Sequence, residues 1–200
     1  DDGSTDSTCH RLKKYQNKVN LIRLLKNKGK GYALYRGVMA AKGEIIIFFD
    51  SDIVGLAEKD IKIMVNCLLR GKTKMVLGNP GGAKVLNLYF KSLTGERAFF
   101  RRDLLSITEK LKTSGFGAET CLNAVFKKWQ AVPLKCRHLE KFEKGNSKQA
   151  LASYLKEGLE IVREKAKVEG FWSNEIEKQL KSLAHAKTWT DLLDKVKNLK

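Results

Sequence analysis

The sequence predicts an α/β fold, a mostly parallel sheet flanked by helices, followed by a C-terminal helical extension. Three observations predict it. From Asp1 to Gly78, strand-like and helix-like segments alternate across short turns, the pattern of a doubly wound sheet. Ile45 to Phe49 is an unbroken apolar run, which marks a strand buried on both faces in the middle of such a sheet. From Gly145 onward, apolar and charged residues alternate at helical period. Two units are therefore expected, residues 1–145 and 146–200.

Taken in order, Asp1-Asp2-Gly3-Ser4-Thr5-Asp6 reads as a strand end and a tight turn, with Ser4, Thr5 or Asp6 capping a helix over Ser7–Gln16. Val19–Leu24 is a short strand. Asn27-Lys28-Gly29-Lys30-Gly31 is a glycine-rich turn feeding a helix that runs to Ala41, and Gly43 separates it from the strand Glu44–Phe49. Ala57–Arg70 carries Ile61, Met64, Val65 and Leu68 at helical spacing. Lys74–Gly78 is the next strand, and Asn79-Pro80-Gly81-Gly82 breaks the chain. A helix is expected over Ala83–Leu93, a strand over Gly95–Phe100 and a helix over Arg102–Lys112. Ser114–Thr120 opens a helix that reaches Trp129, and Pro133 makes Ala131–Lys135 an edge strand. Amphipathic helices are expected over Ser147–Glu169, Ser173–Ala186 and Trp189–Lys197.

The 200 residues carry a net charge of +17. Residues 1–145 hold 28 Lys/Arg against 14 Asp/Glu, so most of the excess lies there. Such a body attracts phosphorylated substrates, anionic headgroups or nucleic acid. Aromatic residues are not interleaved with the basic ones as single-strand binding requires, so no nucleic-acid partner is expected. No apolar run is long enough to span a bilayer. Cys9, Cys67, Cys121 and Cys136 show no metal spacing and read as reduced cytoplasmic thiols.

The chemistry concentrates where the central strand ends, at Asp50-Ser51-Asp52. Open α/β sheets bind ligands at the carboxyl ends of their strands. Two carboxylates one residue apart let hard oxygen ligands reach one divalent cation, which in turn holds a diphosphate. Taken alone, Asp-x-Asp is also a common helix cap or solvated turn.

Four segments in one order narrow the choice. Asp1-Asp2-Gly3-Ser4-Thr5-Asp6, Asn27-Lys28-Gly29-Lys30-Gly31-Tyr32-Ala33, Asp50-Ser51-Asp52 and Gly115-Phe116-Gly117-Ala118-Glu119 together resemble the family 2 glycosyltransferases. Thr94-Gly95-Glu96-Arg97-Ala98-Phe99 is similar to a further segment of that family, and the nearest flavour is the polyprenyl-phosphate (dolichyl-phosphate-type) hexosyltransferases. The resemblance covers residues 1–145. It implies a Rossmann-like GT-A fold and an inverting, metal-dependent transfer of a hexose from a nucleotide-diphosphate sugar. UDP-glucose and GDP-mannose are the donors considered, and polyprenyl phosphate the acceptor. The family places another strand and helix before the position of Asp1, so the sequence is expected to be part of a longer protein.

The resemblance also implies roles. Asp2 lies at the nucleotide base or ribose, and Lys30 approaches the nucleotide, with Gly29 and Gly31 allowing close backbone contact. Asp50 contacts ribose or metal, and Asp52 holds Mg²⁺ or Mn²⁺. Arg97, Arg101 and Arg102 are candidate phosphate contacts. Glu119 is the candidate general base, or an orienting group if the acceptor is itself an anionic phosphate. His138 resembles a histidine near the metal, where neutral imidazole serves as a ligand. A cytoplasmic location is implied, extending to the inner membrane face. Trp172, Trp189, Leu192, Leu193 and Val196 give the C-terminal helices an apolar face, which can pack back on the domain (the commoner outcome), lie on a membrane or form a partner surface. Three alternatives stand beside this reading: transfer to a polysaccharide or other hydroxyl, a non-catalytic basic binding module, and a nucleotidyltransferase, whose glycine-rich N-terminal signature is not present.

Overall fold

A computed structural model of the chain describes residues 1–80 and 94–138, and in the C-terminal segment residues 159, 161–164, 166–168, 170, 173, 174, 177, 178 and 181. The chain divides into two compact units, Asp1–Leu139 and Glu140–Lys200.

The first unit opens with α1 (Thr8–Lys13), whose first turn is shaped by Asp6 accepting the Thr8 N–H at 2.9 Å. The strand expected at Val19–Leu24 is an extended segment tied to the chain start. The Asp1 backbone nitrogen donates to the Ile22 carbonyl and the Leu24 N–H donates to the Asp1 carbonyl, each at 2.9 Å. After it come α2 (Lys30–Ala40), β1 (Ile45–Phe48), β2 (Ile53–Val54) and α3 (Glu58–Leu69). Then follow β3 (Met75–Pro80), β4 (Arg97–Phe100), α4 (Arg101–Leu105), α5 (Thr108–Thr113), a 3₁₀ turn at Gly115–Gly117, α6 (Ala118–Val125), β5 (Trp129–Leu134) and β6 (Arg137–His138).

The main sheet has the order β1-β4-β3-β5. β4 is antiparallel to both β1 and β3, while β3 and β5 are parallel. β1, β3 and β5 therefore run one way and β4 alone runs against them. Helices cover both faces. On one, Ile46, Phe48, Met75, Leu77 and Phe99 pack with Val38 of α2, Leu104 of α4, Leu111 of α5 and Leu122 of α6. On the other, Val76, Ala98 and Leu134 pack with Met64 and Leu68 of α3, joined by the half-buried Ile45 and Ile47. The alternation along each strand delivers successive side chains to opposite cores.

Several expectations are corrected here. Among the described strands β1 is an end strand rather than a central one, with one face fully and the other partly buried. β3 continues through Asn79 and Pro80, because Pro133 and Leu134 of β5 pair with them; Pro133 lies on the edge strand, as expected of a residue with no N–H. The helix expected over Arg102–Lys112 is two helices. Ser106 Oγ donates to the Asp103 carbonyl, and Ile107 leaves helical dihedrals to bury its side chain. Trp129 begins β5 instead of ending a helix, since α6 stops where Phe126 turns in to meet the Phe99 ring at 5.1 Å. The helix expected over Ala83–Leu93 lies outside the described residues, as do Trp172, Trp189, Leu192, Leu193 and Val196.

In the second unit, the described residues within the first two expected helices are helical except Ser173. Arg163 donates to Glu177 at 2.8 Å, linking those two spans.

Candidate active site

β1 carries the chain to a turn in which the Ile53 N–H donates to the Asp50 carbonyl at 3.3 Å. Here the structure gathers side chains from five segments. Lys30, at the first turn of α2, donates to Asp50 Oδ1 at 2.7 Å and to Glu119 Oε1 at 2.5 Å. Burial by itself would depress the Lys30 ammonium, but the carboxylates of Glu119 and then Asp50 outweigh it and hold it above the ordinary lysine range. A folded pKa raised in this way stabilises the fold at every pH below the unfolded value of 10.5. The contribution is lost only as pH rises beyond it, so the ion pairs are intact at neutral pH.

Asp50 sits against Gly95 so closely that a Cβ there would lie 2.3 Å from its carboxylate oxygens. Asp52 turns to a different partner: its Oδ1 stands 3.2 Å from His138 Nδ1. His138 reaches Asp52 because β6 pairs with β2 immediately after the acid, matching Ile53 to His138 and Val54 to Arg137. On the far side of the imidazole, Nε2 lies 3.8 Å from Glu96 Oε2.

Glu96 was not among the residues the sequence marked as functional. It is fully buried, accepts the Thr94 hydroxyl, and receives the Asp50 N–H at 3.4 Å. Its only sequence signal is its place in Thr-Gly-Glu-Arg. Beside it, Arg97 is also fully buried. Arg97 Nε donates to the Thr94 carbonyl and one terminal nitrogen to Asn123 Oδ1, both at 2.8 Å. Burial pushes its pKa down to about 10 against the pull of Glu119, Glu96 and Asp50, which leaves it charged at neutral pH.

The sequence profile of glycosyl transferase family 2 matches residues 1–128, which hold every residue of this cluster except His138. The chain belongs to glycosyl transferase family 2. A dolichyl-phosphate β-glucosyltransferase of Dictyostelium discoideum is 32% identical over 111 residues, covering 52% of this chain and 33% of that protein. The human dolichyl-phosphate β-glucosyltransferase is 42% identical over 57 residues, 26% of this chain and 18% of the relative. The chain thus spans about a third or less of the length of these relatives. Among solved structures, glucosyl-3-phosphoglycerate synthase from Mycobacterium tuberculosis in complex with Mg²⁺ and uridine diphosphate aligns with a TM-score of 0.60 at 21% identity, over 86% of this chain and 67% of that one. The same enzyme with Mn²⁺, UDP-glucose and phosphoglyceric acid aligns with a TM-score of 0.58 at 20% identity, over 86% and 68%. The fold is GT-A.

Within this family 2 chain the other marked residues fall into two groups. Asp2 Oδ1 and Oδ2 accept the N–H groups of Lys28 and Gly29, each at 2.8 Å, so its carboxylate shapes the turn that launches α2. Gly29 (φ 89°) and Gly31 are pressed against the protein itself. A Cβ on Gly29 would stand 3.1 Å from Gly115 Cα, and one on Gly31 would stand 2.3 Å from Ser114 Oγ and 2.4 Å from the Leu111 carbonyl. The glycines let α2 close on the loop that presents Glu119, rather than opening room for a ligand. Gly31→Ala is expected to destabilise the fold by about 1–3 kcal/mol through overpacking, more than the helix-propensity gain of about 1 kcal/mol. A urea midpoint equal to or above that of the wild type would contradict the steric reading.

The arginines also depart from expectation. Arg97 has no exposed surface, so it supports the carboxylates from beneath instead of contacting a phosphate. Arg101 and Arg102 lie at the wrong end of the sheet. β4 pairs Arg97 with Phe48 and Phe100 with Ile45, and the Arg101 N–H donates to the Glu44 carbonyl. At about 3.3 Å per residue this puts them roughly 15–20 Å from Asp50. Asp50 and Asp52, expected to share one cation, face different partners here, Asp50 the Lys30 ammonium and Asp52 the His138 imidazole.

Proposed function

We propose that this chain carries the donor half of a metal-dependent, inverting hexosyltransferase. It takes a nucleotide-diphosphate sugar as donor and a polyprenyl phosphate as acceptor. The observation that carries the reading is the convergence of Lys30, Asp50, Asp52, Glu119 and His138 at the carboxyl end of β1, where a GT-A sheet meets its ligand. The dolichyl-phosphate relatives support the acceptor class, and the structures holding UDP or UDP-glucose support the donor class.

The residues present fit a hard divalent cation. An octahedral Mg²⁺ or Mn²⁺ with bonds of about 2.1 Å holds neighbouring ligands roughly 3 Å apart. Asp52 Oδ1 and His138 Nδ1 are separated by 3.2 Å. Among the described residues no three His, Cys, Asp or Glu side chains form a metal cage, which suits a cation that completes its shell with substrate phosphate and water. When bound, such a cation neutralises charge developing on the leaving diphosphate. Glu96 Oε2 lies 3.8 Å from Nε2, on the side of the imidazole away from Asp52.

The rest is done by the chain's own groups. Lys30, already above Asp50 and Glu119, offers its remaining donor capacity to a donor phosphate. Glu119 is committed to Lys30, and a polyprenyl phosphate is itself an anionic nucleophile, so Glu119 orients the acceptor instead of taking a proton from it. With a hydroxyl acceptor the same carboxylate would have to act as base. Among the described residues no helix is long and apolar enough to cross a membrane, and access to a lipid acceptor is proposed to come through peripheral contact.

Calorimetric titration with UDP-glucose and with GDP-mannose, each with Mn²⁺ and with EDTA, tests this reading. One donor is expected to bind at least tenfold more tightly with the metal. Equal affinity in EDTA would reject the metal-dependent site, and no binding of either donor would favour a non-catalytic basic module.

A further inference from the structure

We propose a second anion site at the opposite end of the sheet, a cleft that accepts a phosphomonoester bearing an apolar group. The cleft, about 370 Å³, is lined by Lys42, Glu44, Phe100, Arg101, Arg102 and Leu105. It lies where β1 begins and β4 ends, remote from Lys30, Asp50 and Asp52.

Charge, an unmet hydrogen bond and shape all point to such a ligand. Three cations face the cleft against the single carboxylate of Glu44. The neighbouring acid on α4, Asp103, is already drawn to Lys74 at 3.6 Å and does not offset them. Arg101 is the central group. Its Nε is buried and has no hydrogen-bond partner, whereas buried polar atoms are nearly always paired. A guanidinium is matched to the oxygens of a phosphate, which accept two parallel N–H bonds. Arg102 lies over the Phe100 ring at 5.1 Å, which holds its charge at the cleft while the ring and Leu105 form an apolar wall.

A dianionic phosphate on a hydrophobic stem therefore suits the three cations and the apolar wall, with Glu44 alone opposing it, whereas a neutral sugar would leave the cations uncompensated. The same chemistry is found in a soluble aryl or alkyl phosphate and in the headgroup of an anionic lipid. Because the cleft is separate from the donor site, its occupant is not the leaving diphosphate.

The test is ¹⁵N-resolved NMR titration of the full chain with inorganic phosphate and with phenyl phosphate, alongside sedimentation with phosphatidylcholine vesicles with or without phosphatidic acid. Phenyl phosphate is expected to shift the amides of residues 42–44 and 100–105 and to bind several-fold more tightly than inorganic phosphate. Arg101→Ala is expected to weaken it at least tenfold. Lys42→Ala, at an exposed position that does not threaten folding, is expected to weaken it about threefold. If phosphatidic acid vesicles and not phenyl phosphate show the Arg101 dependence, the source is a lipid headgroup and the site stands. Binding of both probes that is unchanged in both variants, or no binding of either probe to the wild type, overturns the proposal.

Discussion

Arg97→Met is expected to cost the fold about 3–5 kcal/mol, the largest stability loss of any substitution at the site. The figure is the usual penalty for removing one partner of a buried charge network, because the charges left behind stay desolvated. Here Glu96 is wholly buried and Glu119 nearly so, and Arg97 is the cation beneath both. The change also takes from the Thr94 carbonyl and Asn123 Oδ1 the donors they meet at 2.8 Å. Against a typical domain stability of about 5–15 kcal/mol such a loss moves the urea midpoint by a large fraction of its value. Arg97→Lys keeps the charge but cannot supply both donors in the fixed geometry of a guanidinium, so it should recover only part. Pairing Arg97→Met with Glu96→Gln removes an uncompensated carboxylate and should restore some of the loss. If Arg97→Met unfolds at the wild-type midpoint, the buried network is not what holds β4 beside β1.

The contrast between Arg97 and Asp50 shows what was legible in the sequence. The Asp50 strand announced itself by a dense apolar run, and α2 by a glycine turn followed by a helix-forming stretch; both elements lie within a residue or two of their expected bounds. Arg97 reads in sequence as a surface cation in a binding motif, and nothing local reveals that β4 threads between β1 and β3 against their direction. That reversal buries Arg97 and sends Arg101 and Arg102 to the far end. Asp52 and His138 were both marked, but their meeting depends on β2 and β6, pairings of two residues each, too short to leave a periodic trace. The strand β5 was legible from Ala131 onward, but its first two residues escaped for a related reason: Trp129 and Gln130 are exposed and carry no apolar alternation. Glycines at 29 and 31 were legible as sites of close approach, but not what approaches them.

Asp52→Ala is expected to lower metal-stimulated sugar transfer by roughly 10²–10³-fold, the scale on which a single electrostatic stabiliser of a leaving group acts. It should leave stability within about 0.5 kcal/mol, since the side chain is partly exposed and its partner is the half-exposed His138. The informative comparison is with Lys30→Ala. Lys30 joins two elements of the site, so losing it should damage both donor affinity and the placement of Glu119, and its effect should persist in EDTA. Asp52→Ala should instead look like the wild type stripped of metal, with Mn²⁺ giving no further gain in calorimetric donor binding. His138→Ala should fall between, because substrate phosphate and water can replace one ligand more readily than a carboxylate that also supplies charge. Should Asp52→Ala retain a tenfold response to Mn²⁺, the cation binds elsewhere. The pairing of β2 with β6 would then serve the fold rather than the chemistry.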